Sequence, residues 1–143
     1  MNEQPQYPPD LLLRYPHMFP LDIAIWERFI VAHAANYRGF DYDVKVGSGT
    51  KPVGSVGANY ANMQRELSRY RIDVVAHRDN LIEVLEVKPN ASASALGQVI
   101  TYVNLFVKDY PKDIRVVGGI VTDREMPDIR ALTVEMGMTY YIV

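Results

Sequence analysis

Two carboxylates and one amine, on Asp73, Glu86 and Lys88, stand in segments otherwise made of strand-forming residues. Tyr70 to His77 (YRIDVVAH) and Leu81 to Lys88 (LIEVLEVK) are rich in β-branched and aliphatic side chains, and His77-Arg78-Asp79-Asn80 between them carries turn formers, so the pattern predicts an antiparallel hairpin. With Asp79-Asn80 as a two-residue loop, Arg78 pairs with Leu81 and Asp73 falls opposite Glu86, while Lys88 shares their face because strand side chains alternate. A four-residue loop keeps all three on one face; a three-residue loop sends Asp73 to the other side. Facing like charges destabilise a sheet unless something positive lies between them, and a divalent cation with a lysine beside it meets that need. The competing reading is an edge hairpin with solvated charges, since one D…ExK match is a short pattern.

The surrounding elements must hold such a site in place. Leu21 to Tyr37 reads as a helix, Phe40 to Val46 (FDYDVKV) as a strand, and the hairpin supplies two more strands. Ser92 to Lys108 reads as a long helix and Ile114 to Thr122 (IRVVGGIVT) as a fourth strand; Pro127 to Met136 and Met138 to Val143 add a further helix and a closing strand. In motif and element order the stretch from Leu21 to Thr122 resembles the PD-(D/E)XK nuclease superfamily. The resemblance implies an α/β, restriction-endonuclease-like core (α-β-β-β-α-β) with a C-terminal α-β extension, a mixed central sheet flanked by helices. Residues 1–20 are then a proline-rich arm and residues 21–143 one domain. Ile72 stands where the family name has Pro, and Pro89 ends the third strand at Lys88.

Gln98 and Tyr102 lie at i and i+4, one above the other on a helix face. They match the QxxxY of RecB-like and phage-exonuclease-like branches, which implies a pair near the metal that binds the DNA backbone or holds the catalytic groups. For QxxxY alone, a core tyrosine and a surface glutamine is the simpler reading. Glu27 has apolar neighbours three and four residues away, so its carboxylate needs a cation. The resemblance implies a metal ligand on the first helix; an internal ion pair explains Glu27 equally well.

The chemistry implied is phosphodiester hydrolysis, with Mg2+ as cofactor and Mn2+ as an acceptable substitute. Such an ion lowers the pKa of bound water and clamps phosphate oxygens, and it prefers carboxylates, carbonyls and retained waters. Asp73, Glu86 and the Val87 carbonyl form a suitable partial shell. Lys88 orients the attacking water, stabilises the transition state, or acts as a base.

From Gly47 to Gly57 the chain is rich in glycine and lacks apolar periodicity, which marks a long loop; Tyr60 to Arg69 adds a short helical turn. Lys51, Arg65, Arg69 and Arg71, with Arg78 near them, make this the DNA-contacting region, each residue alone being as well explained as a solvated charge. The GSGTK stretch lacks the spacing of a phosphate-binding loop, so no nucleotide cofactor is expected. His17, His33 and His77 have no paired spacing and cysteine is absent, which argues against zinc, disulfides and thiol chemistry; His77 reads as a solvated turn residue.

Fifteen basic against seventeen acidic residues argue against indiscriminate DNA binding. Residues 45–90 nevertheless hold seven basic and five acidic side chains, against three and six in residues 1–44, so a metal-loaded site makes the middle of the chain locally positive. The balance suits weak intrinsic affinity, with a larger protein assembly or a homo-oligomer delivering the DNA. No apolar run approaches a membrane span and the start has no signal-peptide pattern, so no membrane association and a cytoplasmic location, in a host or a virion, are expected. Three functions are compatible: a magnesium-dependent DNA nuclease in DNA processing, recombination or phage biology; a non-catalytic component of a virion or DNA-processing assembly; and a Holliday-junction resolvase, which the acidic charge disfavours.

Overall fold

The structure is a computed structural model that describes residues 4–50, 54 and 57–143. Its elements run α1 (Pro20–His33), a 3-10 turn (Ala34–Asn36), β1 (Gly39–Val46), α2 (Ala58–Ser68), β2 (Tyr70–His77), β3 (Leu81–Val87), α3 (Ala93–Asp109), β4 (Arg115–Thr122), α4 (Pro127–Glu135) and β5 (Thr139–Ile142). The five strands form one mixed sheet in the order β1-β2-β3-β4-β5: β1, β2 and β3 are antiparallel, and β3, β4 and β5 run parallel through the α3 and α4 crossovers. This is the expected α/β core with its α-β extension. It differs in α2, a full helix where only a helical turn was expected.

Proline opens α1 and α4, where its missing N–H costs nothing. α1 seats Ile25, Trp26, Phe29 and Ile30 against Phe40, Tyr42, Val74, Ala76, Leu85 and Val87. Each large side chain so buried contributes about 1.5–3 kcal/mol. The Trp26 indole also donates to the Tyr42 hydroxyl at 2.9 Å. Because strand residues alternate, Ile82 and Val84 point the other way, where α3 covers the sheet with Phe106. Ala95, Leu96 and Val99 of α3 pack with Ile120. The helix that presents Gln98 and Tyr102 is thus fixed by its apolar stripe.

The proline-rich arm lies along the body. Tyr7 and Phe40 exchange both backbone hydrogen bonds at 3.0 Å, adding a bridge to the outer edge of β1. A Cβ at Gly39 would come within 2.3 Å of the Tyr7 carbonyl, so only glycine lets the two chains approach. Tyr15 is buried and packs edge-on to Tyr42.

Two polar groups sit where the sequence suggested solvent. His77 is fully buried, its Nε2 2.7 Å from Asp41 Oδ2, so it is not the solvated turn residue expected. Arg78 is drawn inward: its Nε lies 3.6 Å from Glu83, a fully buried carboxylate that accepts hydrogen bonds from Tyr37 and Tyr141, both at 2.5 Å. The Arg78 guanidinium also stacks over the Tyr37 ring, 4.8 Å from its centroid. Arg78 therefore faces a buried charge.

Candidate active site

The hairpin has the two-residue loop. Arg78 N–H donates to Leu81 O at 2.8 Å, and pairing runs from His77 with Ile82 to Val74 with Leu85. The next rung would set Asp73 opposite Glu86, but the ladder stops there. β2 continues to Tyr70 bonded to β1, whereas β3 continues to Val87 bonded to β4, so the sheet forks. The donor left free in the fork is taken by a side chain: Val87 N–H donates to Asp73 Oδ2 at 2.9 Å. Asp43, which the β1–β2 register places across from Asp73, is unpaired too and has a left-handed φ of 54°.

A pocket of ≈ 310 Å³ opens at this fork. Asp73, Glu86 and Lys88 line it from the strands, Gln98 and Tyr102 from α3, and Phe19 and Asp22 from the start of α1. The Lys88 backbone is pinned by its N–H to Val121 O at 3.0 Å, while its side chain is exposed. The loop that follows is tied to the end of β4, Asn90 N–H donating to Asp123 and Ala91 N–H to Thr122 Oγ1.

Burial pushes the Glu86 carboxyl up to about 8; the Asp73 charge pushes the same way and Lys88 opposes. Asp73 is pushed up to about 6 by burial, against the pull of the Val87 N–H and Lys88. Asp22 is raised by burial, and Lys88 and the Phe19 N–H oppose this. Tyr102 is raised by burial and then by the charges of Glu86 and Asp73. Arg69 and Arg71 also line the pocket, but their guanidiniums lie against Glu66, Asp109 and Asp43, which leaves Lys88 as the cation that opposes the raised Asp22, Asp73 and Glu86. Glu86 Oε2 and Gln98 Oε1 are, moreover, buried without a hydrogen-bond partner among the described residues. An unanswered carboxylate oxygen beside a second carboxylate fits a hard cation. Among the described residues no three acidic or histidine side chains come together as a metal-holding group.

Glu27 is not brought to this pocket. It accepts from the Tyr15 hydroxyl at 3.4 Å and borders a separate hollow with Leu11, Arg28 and Val31. The acid that α1 brings to the pocket is Asp22. It is the third residue of α1, in the helix's first turn. An acid in the first turn, just after proline, was the available signal. For a magnesium ion bound in this pocket, Glu27→Ala should leave the apparent affinity unchanged, whereas Asp22→Asn should alter it by roughly tenfold, a change of about 1.4 kcal/mol; calorimetric titration of both variants checks this.

The basic residues divide. Arg69 lines the pocket too, yet its guanidinium is held by the fold: Nε donates to Gly47 O at 2.7 Å and Nη2 to Lys45 O at 3.2 Å, with Glu66 and Asp109 beside it. It clasps the start of the β1–α2 loop, and Arg69→Ala should destabilise the protein by about 1–3 kcal/mol through the carbonyls left unpaired, measurable by denaturant unfolding. Arg71 borders the pocket but is shared between Asp43, at 3.3 Å, and the His17 ring, 2.8 Å from Nη1. Arg65 is exposed on α2. Lys51 lies outside the described residues.

No family model and no curated protein matches this chain. Among solved structures it is similar to the crystal structure of a repair endonuclease from Pyrococcus abyssi, at 13% identity and a TM-score of 0.48, over 92% of this chain and 50% of that one. The chain thus spans about half the length of that structure.

Proposed function

We propose that this protein hydrolyses DNA phosphodiester bonds with magnesium as cofactor, or manganese in its place, as part of DNA processing. One observation carries the reading: Asp73, Glu86, Lys88, Gln98 and Tyr102, from two strands and a helix, converge on one pocket at the fork of the sheet. Asp73, Glu86 and the Val87 carbonyl are the residues that would hold the ion. When bound, it lowers the pKa of water and offsets negative charge on the phosphate.

The protein's own side chains supply the rest. The exposed ammonium of Lys88 reaches a phosphate oxygen or the attacking water without leaving the two carboxylates it faces. Gln98, whose Oε1 is unanswered among the described residues, is placed to accept from that water, and the Tyr102 hydroxyl beside it to donate to the phosphate. This pair favours the QxxxY-bearing branch of the nucleases.

The test is incubation of the purified protein with labelled linear, nicked, circular and branched DNA, in magnesium or in chelator. Magnesium-dependent cutting is expected, lost in Asp73→Ala while circular dichroism shows the fold intact. Failure of the wild type to cut any of these, with the protein recovered in a larger assembly, would replace this reading by a scaffold role.

A further inference from the structure

The mouth of the pocket carries two largely exposed rings. Phe19 is 73% exposed and Tyr70 53% exposed, and both border the pocket that holds Asp73 and Glu86. A single exposed aromatic needs no explanation, but two on the rim of one recess put stacking surface where a substrate must pass. Pro20, at the head of α1, restricts the Phe19 backbone. The Tyr70 ring rests on Tyr102, their centroids 5.8 Å apart and planes inclined at 43°. A ring held in advance loses little conformational entropy when a ligand stacks on it.

The backbone around the rim is strained in the same place. His17 and Asp43 are both non-glycine residues with left-handed backbone, φ 60° and 54°, and both meet the same guanidinium, that of Arg71. Strain of this kind persists only where the surroundings enforce it, and it gathers at functional sites. The shared Arg71 guanidinium holds the arm carrying His17 and Phe19 against β2, where the arm forms one wall of the pocket.

We infer that this rim of Phe19, Tyr70 and Arg71 receives an unpaired strand, so that the site takes single-stranded DNA in preference to duplex. The inference rests on the nuclease reading above. Glu86 is only 4% exposed, so a phosphodiester seated against it lies in the recess with its neighbouring bases beside the two rings. In a duplex those bases are stacked and paired; in a single strand their faces are free for aromatic side chains, whatever the sequence.

The experiment measures binding and cutting separately, with the full chain. Fluorescence anisotropy in chelator, where metal-dependent cutting cannot interfere, compares a labelled 20-nucleotide oligo-dT with a duplex of the same length. The single strand is expected to bind at least tenfold more tightly. Phe19→Ala and Tyr70→Ala should each weaken it about tenfold, while Tyr70→Phe, which keeps the ring, should restore wild-type affinity. Equal affinity for duplex, or single-strand affinity untouched by either alanine, overturns the inference. Cutting in magnesium distinguishes the two readings. A wild type that cuts duplex and spares single strands sinks this inference and leaves the nuclease intact. Ring-dependent binding without cutting does the reverse.

Discussion

Lys88→Ala should leave a folded protein whose magnesium-dependent DNA cutting is at least a hundredfold slower than wild type. The size follows from what one charged group is worth at a phosphate transition state, about 10²–10³ in rate for a stabilising donor and up to about 10⁴ for an acid or base. The fold should not notice, because the side chain is exposed at the tip of β3 and the backbone N–H bonded to Val121 is kept. Single-turnover cutting with saturating protein, alongside a thermal melt, checks both halves. A variant that cuts within threefold of wild type would remove Lys88 from the mechanism. The pH profile adds its role: if Lys88 is the base, the ascending limb vanishes with it; if it stabilises charge, the limb remains and the whole curve drops.

Without metal, the protein should lose stability as pH rises, and Glu86→Gln should abolish much of that loss. The folded state pushes Glu86 up to about 8 from an ordinary 4.5. Between those values the folded protein holds a proton that the unfolded chain has released, so the unfolding free energy falls with increasing pH across the window. Asp73, pushed up to about 6, adds to the slope at its lower end. One pKa unit corresponds to about 1.4 kcal/mol, which puts the Glu86 contribution at pH 8.5 on the order of several kcal/mol. Denaturant unfolding in chelator at pH 5 and pH 8.5 should show the wild type weaker at the higher pH and Glu86→Gln nearly level. Magnesium should restore the wild type at pH 8.5, by about 2.7 kcal/mol at a hundred times its dissociation constant, and restore far less at pH 5, where protons compete for the same oxygens. An unchanged slope in Glu86→Gln would mean that the strain on these acids is relieved by something other than a proton.

Local chemistry made the hairpin legible. The Asp79-Asn80 turn sets the Arg78–Leu81 rung, and alternation then places Asp73, Glu86 and Lys88 without any knowledge of the rest of the chain. Helical spacing did the same for Gln98 and Tyr102. The misses were long-range. Asp22 and Glu27 both have apolar neighbours one turn away, and which of them reaches the strands depends on how α1 crosses the sheet. Arg69 reads as a free cation until the carbonyls of Lys45 and Gly47 fold back onto it. His77 stands at a turn, yet Asp41, 36 residues earlier, takes it out of water. The fork itself has no local signature, because it arises where β2 follows β1 and β3 follows β4.

The bridge between Tyr7 and Phe40 has a consequence for how the molecule guards itself. An outer strand with bare amides and carbonyls invites another chain to pair with it, and at β1 the arm occupies part of that edge. The same strip of chain continues to His17 and Phe19 beside the acids. Solubility and access to the pocket are therefore tied to one ribbon: a cut or substitution that frees the ribbon would invite self-association and open a wall of the pocket in a single event.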